Sequence, residues 1–67
     1  MQYVVIMTCP RLNGGEMVEL LGQYDDPIDA IVKAHEWSNC EVGTAYVLRA
    51  DNGRTSPVVS FVDGLPV

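Results

Sequence analysis

His35 is the only histidine of the chain, and Cys9 and Cys40 are its only cysteines. A thiol beside an imidazole can make a nucleophile, and two thiolates with one imidazole supply three of the four ligands of a structural zinc. The spacing supports neither. The cysteines stand far apart and form no CxxC pair, and His35 falls within the apolar stripe of a predicted helix, the position of a packed residue. Carboxylates are the other group able to do chemistry, and Asp25, Asp26, Asp29 and Glu36 gather in one short stretch. General acid–base work needs carboxylates facing a substrate in a pocket, which a chain this short has little material to build. The three aspartates are also explained by helix capping. Asn13-Gly14-Gly15 is too short to cradle a phosphate. The expectation is a protein that is not an enzyme, uses no metal or cofactor, and acts by binding.

With 67 residues, the chain reads as one domain, 1–67. A domain of that size buries only ~60% of its unfolded surface and needs a dense core. Hydrophobic residues make up 48%, which argues against disorder, and no run reaches the ~20 apolar residues of a membrane span. The stretch Met1 to Met7 has no basic flank and no small-residue cleavage site after it, so a mature cytoplasmic protein is expected. Nine acidic residues against four basic ones leave a net charge of −5. Nucleic-acid binding draws on basic residues that neutralise phosphates, so direct binding is not expected. A basic partner would be attracted instead. Two cysteines are fewer than the disulfide framework of a small secreted domain uses. They read as two reduced, buried thiols, with a Cys9–Cys40 disulfide as the alternative.

The element that must position the acids is a helix. Asp26 is its N-cap, Pro27 suits the first helical position, and Asp29 sits in the first turn. The carboxylates there also complement the helix dipole. Ile28, Ile31, Val32 and His35 form the apolar stripe, with Ala34 beside it, and Asp29, Lys33, Glu36 and Trp37 lie opposite. The helix is expected to end near Ser38 or Asn39.

Everything else reads as strand and turn. Residues 2–9 are a β-prone run stopped by Pro10, fitting a strand flanked on both edges. A two-residue Asn13-Gly14 turn leads into a second strand, 16–24. That register sets Tyr3 opposite Tyr24, Met7 opposite Leu20 and Cys9 opposite Val18, with a one-residue slip at the adjacent Gly15 as the alternative. Residues 44–50 and 55–62 make a second hairpin around Asn52-Gly53. Its register sets Asp51 opposite Arg54, Leu48 opposite Pro57, Tyr46 opposite Val59 and Thr44 opposite Phe61. Pro57 has no N–H to donate outward, so the fourth strand is an edge. Residues 63–67 read as a turn-like flexible tail.

The fold class is therefore α+β: a four-stranded antiparallel sheet, β-β-α-β-β along the chain and 2-1-3-4 in space, with one helix packed on one face. The covered face is expected to bury Tyr3, Val5, Met7, Val18, Leu20, Ile28, Ile31, Val32, Tyr46, Leu48, Val59 and Phe61. The open face would carry Val4, Ile6, Leu21, Val47 and Val58 among Thr8, Glu19, Arg49 and Ser60, enough aliphatics to suggest an interface. The candidate partner-binding residues are Asp25, Asp26, Asp29, Glu36 and Trp37, since an aromatic within a polar rim is the composition of an interface anchor. The competing readings are a solvated acidic face, and a Trp37 covered by the chain that follows the helix.

The order of elements is strand, hairpin, strand, capped helix, Gly-Thr-led strand, Asn-Gly turn and strand. Carried by Asp26-Pro27-Ile28-Asp29-Ala30, Gly43-Thr44 and Asn52-Gly53, it resembles that of small phage-encoded anti-CRISPR proteins. The likeness spans the whole chain as layout and includes no diagnostic motif. It implies a phage or prophage inhibitor in the cytoplasm of a bacterial host. Such a protein would bind a subunit of a CRISPR surveillance complex and block its positively charged DNA-binding surface, by occlusion or as a DNA mimic. These proteins share no functional motif, so no site residue carries over. The alternative is a non-enzymatic regulatory or structural module that dimerises through the open sheet face or the edge of the fourth strand; the expected state is a monomer or weak homodimer without membrane contact.

Overall fold

A computed structural model describes residues 2–67. Its elements are β1 (Gln2–Pro10), β2 (Glu16–Tyr24), α1 (Pro27–Cys40), β3 (Thr44–Asp51), β4 (Arg54–Val62) and β5 (Leu65–Pro66). The five strands form one antiparallel sheet in the order β2-β1-β3-β4-β5, and α1 contacts β1, β2, β3 and β4. The α+β class and the 2-1-3-4 strand order expected from the sequence are present, with a fifth strand added.

The helix begins where its chemistry says it should. Asp26 is in extended backbone, and its Oδ1 accepts a hydrogen bond from the Ile28 N–H at 2.8 Å, while Pro27 opens the first turn. The helix runs slightly past the expected end, to Cys40, where the Glu41 N–H donates to the Trp37 carbonyl at 2.9 Å. Gly43 then carries the chain into β3 at a φ of 136°, and a Cβ there would strike the Thr8 carbonyl oxygen. Only glycine meets both demands.

Two β-bulges set which residues face the helix. Along β1 and β2 the register runs from Tyr3 opposite Tyr24 to Val5 opposite Gly22, then resumes with Ile6 opposite Leu20, leaving Leu21 unpaired. Along β3 and β4 it runs from Asp51 opposite Arg54 to Leu48 opposite Pro57, then resumes with Val47 opposite Val59, leaving Val58 unpaired. Val5 and Val47 face each other between the two irregularities and are both fully buried. A bulge bends and twists its strand, so the sheet is most deformed around the pair that lies deepest.

The bulges overturn part of the expected register. Tyr3 does pair with Tyr24, and Leu48 with Pro57, but Met7 faces Glu19, Cys9 faces Met17, Tyr46 faces Ser60 and Thr44 faces Val62. An extra residue shifts the alternation by one, which moves every side chain beyond it to the other face. The β1–β2 connection is also longer than a two-residue turn. It spans residues 11–15, with Gly14 and Gly15 at φ 91° and 79° and the Arg11 N–H donating to the Gly15 carbonyl at 3.1 Å.

The centre of the core under the helix is made of small side chains, with Met7 and Phe61 beside them. Val5, Met7, Ala30, Ala34, Ala45, Val47 and Phe61 are its buried hydrophobic residues among those described, so three of the seven are alanines. Tyr3, Leu21, Tyr24, Ile31, Trp37 and Val59 pack around them, each half-buried. Six of the twelve expected core residues belong to this group: Tyr3, Val5, Met7, Ile31, Val59 and Phe61. Tyr46, Leu48, Val18 and Leu20 lie on the opposite face, and Ile28 and Val32 point outward at 67% and 48% exposure. Helix α1 is thus rotated from the expected stripe: Ala30, Ala34 and Ser38 form the line it presses onto the sheet. Small residues at i, i+4 and i+8 let the backbones approach closely, so the bulkier Ile31 and Trp37 pack along the flanks.

Residues 63–67 are not the expected tail. Asp63 and Gly64, at φ 53° and 76°, reverse the chain so that Leu65 and Pro66 pair with Val62 and Phe61. Buried Ser38 ties this turn to the helix: its Oγ accepts from the Gly64 N–H at 3.1 Å and donates to the His35 carbonyl at 2.9 Å. A two-residue strand containing proline carries no periodic signal, which is why it reads as a tail.

Candidate functional site

The expected acidic site divides in the structure. Asp25, Asp26, Asp29 and Glu36 are all exposed. Asp26 spends one carboxylate oxygen on the helix cap, and none of the four forms an ion pair with a basic side chain among the described residues. Trp37 does not join them. It is half-buried and packs against the core cluster, so its position opposite the apolar stripe is corrected. Once the helix turns on Ala30 and Ala34, Trp37 falls on the covered side. What remains is an exposed acidic rim along the start and outer side of α1, without an aromatic anchor.

The groups considered for covalent or metal chemistry stay apart. His35 is solvent-exposed rather than part of the core, with its ring edge-on to Phe61 at a centroid distance of 5.5 Å and an interplanar angle of 71°. Cys9 is half-buried and Cys40 exposed, both as free thiols. Burial is therefore corrected for Cys40, which sits on the last turn of the helix away from the sheet. No group of three His, Cys, Asp or Glu side chains could hold a metal among the described residues, and no helix there is long and apolar enough to cross a membrane.

Two shallow depressions lie among the described residues. One, of about 490 Å³, is lined by Arg49, Asp51, Asn52, Arg54 and Ser56 at the β3–β4 hairpin end. Its strand residues share the helix side of the sheet, where Asp51 faces Arg54 and lies 4.0 Å from the Arg49 guanidinium. The ion pair joins two residues of β3 at the surface and is of small energetic weight. The other depression, of about 310 Å³, is largely apolar and is bounded by Tyr46, Pro57, Val58, Ser60 and Val67.

This second groove is one edge of a larger feature, the sheet face without a helix. The registers place Val4, Ile6 and Thr8 of β1 on it, opposite Gln23, Leu20 and Val18 of β2 and Leu48, Tyr46 and Thr44 of β3; Pro57, Ser60 and Val62 of β4 continue the rows. Leu20 and Val18 of β2 are 53% and 63% exposed, and Val58 of β4, left unpaired at its bulge, is 44% exposed. Glu16, at the loop end, is the one charged residue the registers put on this face. Glu19, Arg49, Asp51 and Arg54 all lie on the helix side. An apolar face with charge kept at its margin has the composition of an interface centre.

The sequence suggests an open apolar face but names the wrong residues for much of it. Val4 and Ile6 are there. Val47 is instead fully buried, Leu21 packs on the core, and Glu19 and Arg49 belong to the helix side. Val18, Leu20, Tyr46 and Leu48 were missed. The signal that would have found them is the pair of apolar doublets, Leu20-Leu21 and Val58-Val59, which break the strand alternation where the bulges occur. No known protein family, curated protein or solved structure matches this chain.

Proposed function

We propose that this protein is a non-enzymatic interaction module whose working surface is the helix-free face of its sheet. The observation that carries this reading is the continuity of Val18, Leu20, Ile6, Val4, Tyr46 and Leu48 across three hydrogen-bonded strands without an intervening charge. Isolated exposed hydrophobics are ordinary, whereas a contiguous apolar face on a small protein signals association. The test is co-purification of tagged wild type and a Leu20→Glu/Tyr46→Glu variant from cells, with circular dichroism checking that the variant folds. Wild type is expected to retain a macromolecule, a differently tagged copy of itself included, that the variant loses. Identical retention by both, or nothing retained by wild type, defeats the reading.

The acidic rim supports a second reading. Unpaired carboxylates at one end of a chain of net charge −5 create a local negative field that would steer it to a basic surface. With the layout resemblance, this reading makes the protein an inhibitor of a basic nucleic-acid-binding protein, such as a subunit of a bacterial CRISPR surveillance complex. A variant with Asp25→Lys, Asp29→Lys and Glu36→Lys, with Asp26→Asn to keep the cap, should then lose inhibition of DNA binding by that complex. Undiminished inhibition by the folded variant rules the rim out.

A further inference from the structure

We infer that the occupant of the helix-free face is a second copy of this chain, in a symmetric face-to-face dimer with both helices outside. The inference rests on the reading of that face as the working surface, and four features select this occupant.

The first is charge. Two copies of a chain with net charge −5 repel each other, so they can approach closely only through a surface nearly free of carboxylates. The helix-free face is such a surface, with Glu16 alone and at its margin. It offers nothing to a basic protein or nucleic acid, whose recognition runs on charge.

The second is area. Four strands at a spacing of about 4.8 Å and seven residues at about 3.3 Å give a face of roughly 20 by 23 Å. Two such faces together remove on the order of 1,000 Å² from water, the threshold for a specific interface. Stacked sheets pack about 10 Å apart with strands near −30°, so the dimer would be a β-sandwich covered by a helix on each side.

The third is the deficit in the core. Of the seven buried hydrophobic side chains among the described residues, three are alanines, two are valines, and only Met7 and Phe61 are larger. Leu20, Ile6, Tyr46 and Leu48 line the open face. A domain this small is marginal on its own core. A second copy supplies the missing layer, and in a two-fold contact each of these residues meets the same patch on its partner. The row Leu20–Ile6–Tyr46 crosses the middle of the face and puts an aromatic at the two-fold centre.

The fourth is that the edges are poor alternatives. The outer edge of β2 carries Glu16 and Glu19 and is broken by the bulge at Leu21; that of β4 is interrupted by Pro57 and capped by β5. Charges, bulges, proline and short covering strands are the devices that block strand addition.

The experiment is sedimentation equilibrium with thermal melts over a wide concentration range, on wild type, Leu20→Glu and the control Ile28→Glu on the outer side of α1. Wild type should move from monomer to dimer as concentration rises, and its melting temperature should rise with it. Leu20→Glu should weaken dimerisation by about a hundredfold, and Ile28→Glu should leave it unchanged. Isotope-filtered NMR on mixed labelled and unlabelled wild type should show contacts from Tyr46 of one copy to Leu20 and Leu48 of the other. This arm does not depend on any variant folding. A wild type that stays monomeric to millimolar concentration overturns the dimer. If co-purification of another macromolecule is then lost in Leu20→Glu/Tyr46→Glu, the face remains a working surface with a different occupant. A dimer indifferent to Leu20→Glu, without those NMR contacts, overturns both readings.

Discussion

On the helix side of the sheet, Val5, Val47 and Ala45 are fully buried beneath Ala30 and Ala34. On the other side, their strand neighbours Val4, Leu48 and Tyr46 are half-buried with no element of the chain over them. The same strands make both faces, and large apolar side chains stand on each: Met7 and Phe61 under the helix, Ile6, Leu20, Tyr46 and Leu48 on the uncovered side. Burial here follows backbone geometry rather than side-chain hydrophobicity. The helix settles close to a sheet kinked by two bulges, with Ala30 and Ala34 against Val5, Val47 and Ala45 at its centre and Phe61 beside them. A second set of apolar side chains is displayed on the far side, which is the side available for a partner.

The neighbours Val47 and Leu48 offer the sharpest contrast between the two faces. Val47→Asp places an unpaired carboxylate in the covered core, and burying such a charge is among the few mechanisms that cost about 4 kcal/mol or more. A domain this small should not survive it, and far-UV circular dichroism should show an unfolded chain. Leu48→Asp puts the same group on the open face, where water reaches it. Its cost to the isolated fold should be about 1 kcal/mol, chiefly the poor fit of aspartate in a strand, and a urea melt would show a cooperative transition. Two equally damaged variants would mean that the faces differ less in burial than the fold implies.

A second contrast lies on the helix. Ala34 is fully buried and Val32, two residues away, is half exposed. Ala34→Leu should push the helix off the sheet and destabilise the protein by about 1–3 kcal/mol, the usual cost of overpacking. Val32→Leu adds a comparable apolar side chain in the open and should shift stability by no more than about 0.5 kcal/mol. Urea midpoints for the pair would decide it. If Ala34→Leu were the more stable protein, the close approach of helix and sheet would be loose enough to fill.

These contrasts explain what the sequence reveals and what it hides. The helix is legible because capping is local: Asp26, Pro27 and Asp29 act within one turn, and each stands where its chemistry puts it. The strand order is legible through the apolar first strand and Pro57, both local features again. Which residues face the helix is another matter. Leu20 and Leu21 differ only in which one the bulge leaves unpaired, and that choice is made by β1 and the helix, not by either leucine. Ala30 and Ala34 carry almost no weight on a hydrophobicity wheel, so Ile28 and Val32 take their place in a reading by composition. The acidic rim is visible in the sequence, but the association of Trp37 with it depended on the rotation of the helix and was lost with it.

The smallest expected effect tests the element that makes the two faces different. Asp26→Ala removes the acceptor for the Ile28 N–H and leaves a first-turn donor without its cap. Loss of such a cap costs about 1 kcal/mol, and here it should appear as faster amide exchange in the first turn of α1 and as lower global stability, since α1 alone covers the core. Asp25→Ala removes one carboxylate from the same rim without touching the cap, and should change stability by less than about 0.5 kcal/mol. If both variants behaved as Asp26→Ala is expected to, charge near the helix dipole rather than the cap itself would hold that end. In that case the acids of the rim would be structural, and their claim to a basic partner would weaken. If only Asp26→Ala costs stability, Asp25 has no structural duty, and its exposed carboxylate stays available to the partner that the second reading requires.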